Sequence, residues 1–402
     1  MKLHEFFTYS ALFVVSAVTF AACSDNEPGN DESRSEIVLE PAEENVNIAI
    51  NSFSLDVVHS VIENSNGENV MVSPLSLNMA LGLLANGLGG DSYNELFSAI
   101  GINDVSALNS LNNKILTALP TADKNCEVVL ANSVWSVNPI KSEYTSLVEN
   151  IYSANTFSVD KLSKPQIDKW GAEKTGGKIT DVAGSDIEDN NFALFNLFYF
   201  KGNWTDPFNP KNTTKSEFTT IDNEKVQVDM REGKFKGFDA LSNDVMRMVC
   251  IRFGRMNHFT MCAIIPDDGV SVADAVKSLD DWWNASLVRV TSEIKIALPK
   301  FKLDLNADLV PTLKSLGLTE IFNDCDFGPM LGRKGKVNKI EQKINFAVDE
   351  TGAEAKVVTK VNGITADFGP GVTDFIFDRP FAFLIIENDT KAILLGGVIN
   401  RL

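Results

Sequence analysis

Histidines, which could act as a general base or bind a metal ion, are few in this chain. Its histidines are His4, His59 and His258, and imidazole is the group most often used for both tasks near neutral pH. His59 lies on the apolar face of a predicted helix, where we expect a partly buried core residue. His258 lies in a predicted hairpin turn, where we expect it to be solvated. The adjacent carboxylates at 280–281 and at 349–350 would point to opposite faces of a strand.

The spacings that mark common catalytic and cofactor sites are also missing. The sequence contains no G-x-S-x-G, H-E-x-x-H, Walker or G-x-G-x-x-G motif, by which proteins position a nucleophile, a zinc ion or a phosphate. The glycines at 87–90 mark the end of a helix, and no basic residue follows them to hold a phosphate. We therefore predict that the protein is not an enzyme and that it uses no metal ion and no cofactor.

The cysteines show no metal-binding pattern. Cys23 lies near the N-terminus, and the others, at 126, 250, 262 and 325, are spread along the chain without a C-x-x-C pair. Cys250 and Cys262 flank a predicted hairpin turn at 254–257 and could therefore lie close together. They could form a disulfide, but four buried thiols are the simpler interpretation.

The charge of the chain limits its partners. The 402 residues carry a formal net charge of −18 and are 44% hydrophobic, which is typical of a globular protein. An acidic chain lacks the cationic surface that displaces the counterions of nucleic acid, so we predict no nucleic-acid binding and no polybasic contact with a membrane. The length allows two or three domains, or one large mixed domain.

The first 47 residues have the composition of an export signal followed by a linker. After Lys2, an apolar run at 11–20 is too short to span a bilayer comfortably. The segment F-A-A-C that ends at Cys23 resembles the lipobox of bacterial lipoproteins, in which the cysteine is lipidated. We predict a signal peptide at 1–22, a lipid anchor at Cys23 as the only link to a membrane, and an acidic flexible tether at 23–47. A plain signal peptide with an incidental cysteine is the alternative.

The charge of the tether suggests where the protein is displayed. Residues 24–47 contain eight acidic residues and one arginine, a net charge of −7. An acidic stretch directly after a lipidated cysteine resembles the surface-export signals of bacterial lipoproteins. We therefore predict a cell-envelope lipoprotein that is anchored in the outer membrane and exposed to the outside.

After the tether, helical and strand patterns alternate. Apolar spacing predicts a helix at 48–64, and Ser73 as N-cap with Pro74 predicts a second helix that ends near Gly87. The continuous apolar run at 192–200 predicts a strand that is buried on both faces. Strands outnumber helices in the second half, which indicates an α+β fold with large sheets. The other predicted strands are 128–135, 226–230, 246–253, 259–265, 294–298, 347–348, 381–386 and 392–398.

Several sequence blocks, in order, resemble motifs of the serpin family. The most specific is N-L-F-Y-F-K-G-N-W at 196–204, which is similar to the family's N-A-I-Y-F-K-G-x-W. The resemblance covers about 46–402 and implies a single serpin domain. Such a domain has a large central mixed β-sheet plus smaller sheets, about eight or nine helices around them, and an exposed reactive-centre loop, here at about 350–374. The other blocks are 69–77, 130–135, 167–170, 175–179, 297–301 and 378–383.

The resemblance implies an inhibitor that acts as a suicide substrate on serine proteases. The protease attacks the loop, its nucleophile forms an acyl-enzyme, and the cut loop inserts as an extra strand into the central sheet, which distorts the protease before hydrolysis is complete. The driving force is the strain of a native state that is held by kinetics. Such an inhibitor acts as a monomer, and cross-inhibition of papain-like cysteine proteases is a possible extension.

The first part of the loop resembles the family's hinge, and its residues suit a strand. Side chains of an inserted strand alternate between the two faces of the sheet. Every second residue from Ala353 to Thr359 is small or β-branched, while the charged Glu354 and Lys356 fall on the other face. No charge or proline on the inward face blocks insertion, which favours active inhibition. A serpin fold in a binding or structural role at the surface is the alternative. The hinge comprises Glu350, Gly352, Ala353, Glu354, Ala355, Val357 and Thr359.

The bond that a protease would cut lies further along the loop. Counted from Gly352, the family's spacing places it between Ala366 and Asp367. A cut after Thr365 is the alternative, because the loop is longer than usual. A small residue before the bond favours elastase- or subtilisin-like serine proteases. A cut after Thr365 would place the apolar Ile364 where a papain-like cysteine protease reads it.

Three supporting sites also follow from the resemblance. Glu350 and Lys300 are expected to form an ion pair at the gate where the loop enters the sheet. Gln342 stands where the family usually has a histidine, and its amide can still donate and accept hydrogen bonds. Trp204 is expected to pack under the gate or to be a plain core residue. The polar cluster expected under the sheet is Ser73, Ser76, Asn196 and Gln342.

Overall fold

Helices flank the sheets in the part of the chain that the computed structural model describes, residues 35–281, 288–290, 292–350 and 374–402. Together with the strands they confirm the predicted α+β class. Within these ranges no helix has the length and apolar content that crossing a bilayer requires. The helices are α1 (Pro41–Glu63), α2 (Pro74–Gly87), α3 (Gly90–Ala99), α4 (Val105–Ala118), α5 (Ser142–Tyr152), α6 (Lys164–Lys174), α7 (Val272–Lys277), α8 (Val310–Ser315) and α9 (Gly328–Leu331).

The first helix begins earlier than its apolar spacing predicts. It starts at Pro41 rather than at 48, and the backbone N–H of Glu40 donates to the carboxylate of Glu43 at 2.7 Å. Glu43 is buried and pairs with Lys114 at 2.6 Å. Residues 41–47, which we predicted as part of the solvated tether, are therefore helical. The apolar pattern missed them because this segment is mostly polar: Val46 is its buried apolar side chain, and Glu43 is held by Lys114.

The second helix follows its predicted start and stop. The Ser73 hydroxyl accepts the backbone N–H of Ser76 at 3.2 Å, and Pro74 occupies the first turn. The helix ends at Gly87. Capping by Ser73 satisfies one of the N–H groups that a helix start leaves without an intrahelical partner. The N-cap prediction is confirmed.

The largest sheet of the described residues has seven strands in the order β1-β18-β17-β9-β8-β7-β10. It contains the predicted hairpin of β8 and β9 and both predicted C-terminal strands. A four-stranded sheet has the order β16-β11-β6-β5. Their bounds are β1 (Val70–Val72), β5 (Thr213–Thr219), β6 (Lys225–Phe235), β7 (Phe238–Ser242), β8 (Met246–Phe253), β9 (Phe259–Pro266), β10 (Val288–Val290), β11 (Ile294–Pro299), β16 (Asp374–Ile376), β17 (Phe381–Glu387) and β18 (Ile393–Ile399).

The strands that matter most for the site form two separate sheets. One has the order β3-β2-β4, with β2 parallel to β3 and antiparallel to β4. The other is the antiparallel pair of β12 and β15. A short pair, β13 with β14, completes the set. Their bounds are β2 (Cys126–Ser136), β3 (Asn155–Ser158), β4 (Phe192–Gly202), β12 (Phe301–Asp308), β13 (Cys325–Asp326), β14 (Lys334–Gly335) and β15 (Glu341–Val348).

The strand β4 is less buried than its apolar sequence predicts. Most of its side chains are half-buried, although we expected burial on both faces. β4 lies at an edge of its sheet, and an open cavity adjoins it, so part of each side chain meets solvent. On one face, a small apolar cluster packs α6 against β2 and β4 through Trp135, Trp170 and Leu197.

Candidate functional site

A seam separates β4 from β15. Among the described residues, no hydrogen-bonded ladder joins these two strands, and a cavity of about 90 Å³ lies between them. The segment 175–191, which connects α6 to β4 and is called the connector below, forms another wall. A sheet edge with unused backbone groups is a template for an additional strand, so the seam is the place where a strand could be added. Residues that line it include Ser76, Asp181, Phe195, Asn196, Gln342 and Ile344.

The predicted polar cluster is assembled at the seam. The side chain of Gln342 accepts the backbone N–H of Ser73 at 2.8 Å and donates to the Ser73 carbonyl at 2.9 Å. The Ser76 hydroxyl donates to Asn196, which in turn donates to Asn132. The structure thus brings the four predicted residues together and adds Asn132, which sequence reasoning missed. Asn132 lies on β2 beside Asn196 in the ladder, a neighbour that only the sheet register reveals.

The amide of Gln342 performs a task that does not depend on pH. It satisfies the backbone N–H and the carbonyl of Ser73, the residue that caps α2. Gln342 and Ser73 are both buried. Leaving a buried donor or acceptor unsatisfied costs about 1–3 kcal/mol. Because an amide does not titrate near neutral pH, this junction between α2 and β15 keeps its hydrogen bonds across the physiological range.

The predicted gate pair lies at the end of β15. Lys300 Nζ is 2.9 Å from the Glu350 carboxylate, and the Thr213 hydroxyl donates to the same carboxylate at 2.7 Å. Burial opposes the charge of Glu350, but Lys300 and Thr213 outweigh it and lower the pKa of Glu350 to about 2. The sequence did not indicate that Thr213 belongs to this site, because Thr213 starts a strand that is far from Glu350 and Lys300 along the chain.

A buried arginine holds the residue that precedes Glu350. Arg231 is fully buried, and its guanidinium donates to the carbonyl oxygens of Leu298, at 3.2 Å, and Asp349. Burial lowers the pKa of Arg231 to about 10, and the ring of Phe208 lies 4.8 Å from the cation. Sequence reasoning missed Arg231. Adjacent residues of a strand point to opposite faces, so a strand with Met230 buried was expected to leave Arg231 in solvent.

Trp204 completes the contacts at this end of the strand. Its indole N–H donates to the Asp349 carbonyl at 2.9 Å, and its ring stacks on Phe253 at 4.3 Å. The Asp349 carbonyl therefore accepts hydrogen bonds from both Trp204 and Arg231. Here the chain leaves β15 towards 351–373. We call the four side chains that fix this point the exit clamp: Trp204, Thr213, Arg231 and Lys300.

Ion pairs tie the connector to the far side of the seam. Asp181 pairs with Lys343 at 2.7 Å and also with Lys164, and Asp186 pairs with Lys339 at 2.7 Å. Hydrogen bonds from Lys164 and Lys343 lower the pKa of Asp181 to about 2. These contacts are at least partly exposed, so salt screens them. We call the Asp181–Lys343 and Asp186–Lys339 pairs the seam ties.

Several predicted residues lie outside the described ranges. The lipidation site Cys23 is one, and the candidate cleavage site is another. The remainder belong to the hinge beyond Glu350. These residues are Cys23, Gly352, Ala353, Glu354, Ala355, Val357, Thr359, Thr365, Ala366 and Asp367.

The structure corrects the expectation for His258. This residue is 2% exposed, with Nδ1 3.9 Å from the carboxylate of Asp389. It is buried because the turn after β17 packs over the β8–β9 turn: the backbone N–H of Asn388 donates to the His258 carbonyl at 2.8 Å. A single sequence gives no sign of that contact. His59, in contrast, is partly buried as predicted.

Comparisons with known proteins match the chain to one family over most of its length. The family model described as "Serpin (serine protease inhibitor)" matches residues 48–401. Serpin-Z1C of Triticum aestivum is 30% identical over 380 residues, which cover 87% of this chain and 95% of the relative.

Solved structures share the fold. AtSerpin1 of Arabidopsis, in a native stressed conformation, superposes with a TM-score of 0.79 at 24% identity and covers 90% of this chain and 99% of its own. Human thyroxine-binding globulin superposes with a TM-score of 0.75 at 20% identity, over 89% of this chain and 99% of its own. Likeness at this level of identity concerns the fold alone.

The seam ties should slow the opening of the seam. Replacing both Lys339 and Lys343 by glutamine removes two ion pairs whose contribution is small, because solvent and salt screen them. We expect backbone amides of β4 and of the connector to exchange hydrogen about two- to fivefold faster, because local opening becomes easier. Hydrogen–deuterium exchange with mass spectrometry measures this.

Lys336 offers a matched control, because it is an exposed lysine on the same segment. Lys336→Gln should leave exchange in β4 unchanged. High salt should accelerate exchange in the unmodified protein but not in the double variant. Equal exchange in all three proteins would show that the ties do not restrain the seam.

The gate pair should give the protein an acid-sensitive contribution to stability. The pKa of Glu350 is depressed to about 2, against about 4.3 in an unfolded chain. Its contribution is therefore present above about pH 4.3 and is lost as the pH falls from there towards 2. We expect about 2 kcal/mol, reduced by screening at the partly exposed Lys300.

Urea unfolding between pH 7 and pH 2.5 tests this contribution. Glu350→Gln should lower the free energy of unfolding at pH 7 and flatten its decline below pH 4.3. Lys300→Met should have the same effect, whereas Lys302→Met, which removes an exposed lysine of β12, should not. A parallel acid decline in the Glu350→Gln variant would contradict this role.

Proposed function

Because the chain belongs to the serpin family, whose members are broadly serine protease inhibitors, we propose that it inhibits proteases as a suicide substrate. In this proposal a serine protease cuts the loop at 350–374, forms an acyl-enzyme and is trapped when the loop enters the seam. Cysteine proteases of the papain class are secondary targets. The family's description supports the inhibitory role, and the seam supports the trapping step.

The observation that carries the proposal is the seam beside the origin of the loop. β15 ends at Val348, and the chain enters the loop after Glu350, at the top of the unpaired edge. A cavity of about 90 Å³ is too small for a strand, so β4 and β15 must separate to admit one. The apolar edge of β4, which is half-buried now, would gain a hydrogen-bonded neighbour and become buried.

The chemical steps follow from the acyl-enzyme. The protease serine attacks the carbonyl carbon of Ala366, and the amine of Asp367 leaves after it takes up a proton. The ester that links Ala366 to the protease is intact when the freed loop begins to insert. Insertion carries the protease away from its starting position and deforms the groups that would activate water for deacylation. The protease then remains bound as the ester.

The loop's composition suggests the class of protease. A small residue before the cut bond fits a shallow apolar pocket of the elastase or subtilisin type. A cut after Thr365 would instead fit a papain-like enzyme that reads Ile364. We favour the first class, because it uses the bond that the family's spacing indicates.

We also propose that the inhibitor is displayed as a monomer on the outer surface of the cell envelope. The lipobox-like F-A-A-C that ends at Cys23 and the acidic segment after it support this placement. The protein would be anchored through one lipidated cysteine and would meet its target proteases outside the cell. It would protect the cell against proteases in its surroundings.

The trap is tested by incubating the protein with elastase-, subtilisin-, trypsin- and papain-like proteases, followed by denaturing gels and mass spectrometry. We expect a complex that is stable in SDS and a released peptide that starts at Asp367. Val357→Asp should abolish the complex while cleavage continues, because its inward charge would be buried in the sheet. Lys356→Asp is the matched control, since the same carboxylate on the outward face should leave the complex intact.

Cleavage without a complex for every protease would overturn the proposal. It would leave a serpin fold in another role, as in human thyroxine-binding globulin, which is named for the thyroxine that it binds. If Val357→Asp and Lys356→Asp both trap proteases, insertion of the hinge is not the trapping step.

The anchor has a separate test. Cys23→Ser should move the protein from the membrane fraction to the soluble fraction of the producing cells. The reason is that the lipidated Cys23 is proposed as the only attachment to the membrane. Extracellular protease added to intact cells should degrade or bind the unmodified protein if it is displayed outside. Membrane association that persists in Cys23→Ser would contradict the anchor without affecting the inhibitory proposal.

A further inference from the structure

A pair of buried cysteines in the seven-stranded sheet lies apart from the seam and takes no part in the proposed trap. Cys250 of β8 and Cys262 of β9 are direct partners in the antiparallel ladder, and their Sγ atoms are 3.1 Å apart. Both residues are 2% exposed. Both are unbonded thiols in the structure.

The backbone hydrogen bonds place this pair where a cross-strand disulfide fits. In an antiparallel ladder, hydrogen-bonded and non-hydrogen-bonded pairs alternate. The N–H of Asp267 donates to the Val245 carbonyl at 2.9 Å, and the register continues without a bulge to Cys250 and Cys262. Counting along the ladder makes the cysteines a non-hydrogen-bonded pair.

A second observation agrees with that count. The Arg252 carbonyl accepts the N–H of Thr205 at 2.9 Å, so it points away from β9. Arg252 is two residues from Cys250 and must share its pair type. Cα atoms in non-hydrogen-bonded pairs lie about 4.5 Å apart, with their side chains close. Disulfides join residues whose Cα atoms are about 4.4–6.8 Å apart.

We propose that Cys250 and Cys262 are joined by a disulfide when the chain folds in an oxidising compartment. The oxidant is an organic disulfide, such as oxidised glutathione or the disulfide of a thiol oxidase. One cysteine thiolate attacks that disulfide and releases one thiolate, which leaves a mixed disulfide. The other cysteine then attacks the mixed disulfide, forms the Sγ–Sγ bond and releases the second thiolate. The pair loses two electrons and two protons, and the oxidant becomes two thiols.

The reaction belongs to folding rather than to the native state. The contact with Cys262 and complete burial raise the pKa of the Cys250 thiol, and only a thiolate attacks a disulfide. No oxidant reaches two residues that are 2% exposed. The bond therefore forms before β8, β9 and their neighbours close over it, and afterwards the same burial protects it from reductants.

The bond would stabilise the fold without changing the seam. It closes a short loop that contains the β8–β9 turn, and closing a loop restricts the unfolded chain. The cysteines lie in a different sheet from β4 and β15, and neither residue lines the seam. The disulfide should therefore resist unfolding and leave protease trapping as it is.

The test uses the full chain, unfolded and reduced, then refolded with either oxidised or reduced glutathione. Free thiols are alkylated after denaturation, and trypsin digestion follows without reduction. Cleavage after Arg247, Arg252, Arg255 and Lys277 leaves the two cysteines on separate peptides, 248–252 and 256–277. We expect these peptides to be linked after oxidative refolding and separate after reductive refolding. Separate, alkylated peptides in both samples, or links to Cys126 or Cys325, would overturn the proposal.

Two further measurements distinguish a built-in bond from incidental oxidation. Native reduced protein that is exposed to oxidised glutathione should stay unlinked until denaturant is added. The oxidised form should unfold about 5 °C higher than the reduced form. That difference should persist in Cys126→Ser and vanish in Cys262→Ser. If Cys262→Ser does not fold, the two redox forms of the unmodified chain still provide the comparison.

The outcome is independent of the proposed inhibition. Both redox forms are mixed with a protease, and formation of the SDS-stable complex is compared. Equal trapping with a higher unfolding temperature supports the disulfide as a stabilising element. A linked pair in a chain that traps no protease would refute the inhibitory function alone, and trapping that depends on the redox state would refute the separation of this pair from the seam.

Discussion

The structure is organised around two neighbouring strands, β4 and β15, whose facing edges do not pair in the part of the chain that the structure describes. β4 and β15 approach each other on either side of the seam, yet among the described residues no ladder of backbone hydrogen bonds joins them. Backbone groups at a sheet edge gain free energy when they pair. A state that leaves an edge available inside the fold must therefore be held by other contacts. The polar cluster, the exit clamp and the seam ties lie around that edge and supply such contacts.

These contacts differ in the conditions that weaken them. The junction of Gln342 with Ser73 is neutral and buried, so neither salt nor pH near neutrality affects it. The ties of Asp181 to Lys343 in β15 and of Asp186 to Lys339, just before β15, are at least partly exposed, so salt screens them, while the low pKa of Asp181 keeps it charged. The neutral contacts thus fix the geometry of the seam, and the charged ones can adjust how readily it opens without loss of the fold.

Local sequence patterns predicted much of this arrangement. Contacts between residues distant in the sequence could not be predicted from those patterns. The N-cap Ser73 and the β8–β9 hairpin depend on neighbours in sequence, so they were predictable. The family's motifs led to Glu350, Lys300 and the polar cluster. Arg231 was missed because its partners, the carbonyls of Leu298 and Asp349, come from distant segments. The helical start at Pro41 was missed for the same reason, since Glu43 in its first turn pairs with Lys114 of another helix.

The exit clamp also indicates where a moving loop would bend. Asp349 is held through its backbone carbonyl by buried donors of Trp204 and Arg231, which would be left unsatisfied if it moved. Glu350 is held through its side chain by the Thr213 hydroxyl and by Lys300, which is 38% exposed and can turn to water. Releasing Glu350 therefore costs less than releasing Asp349. A loop that enters the seam would pivot between these two residues, with β15 and the carbonyl of Asp349 staying in place while the gate pair opens.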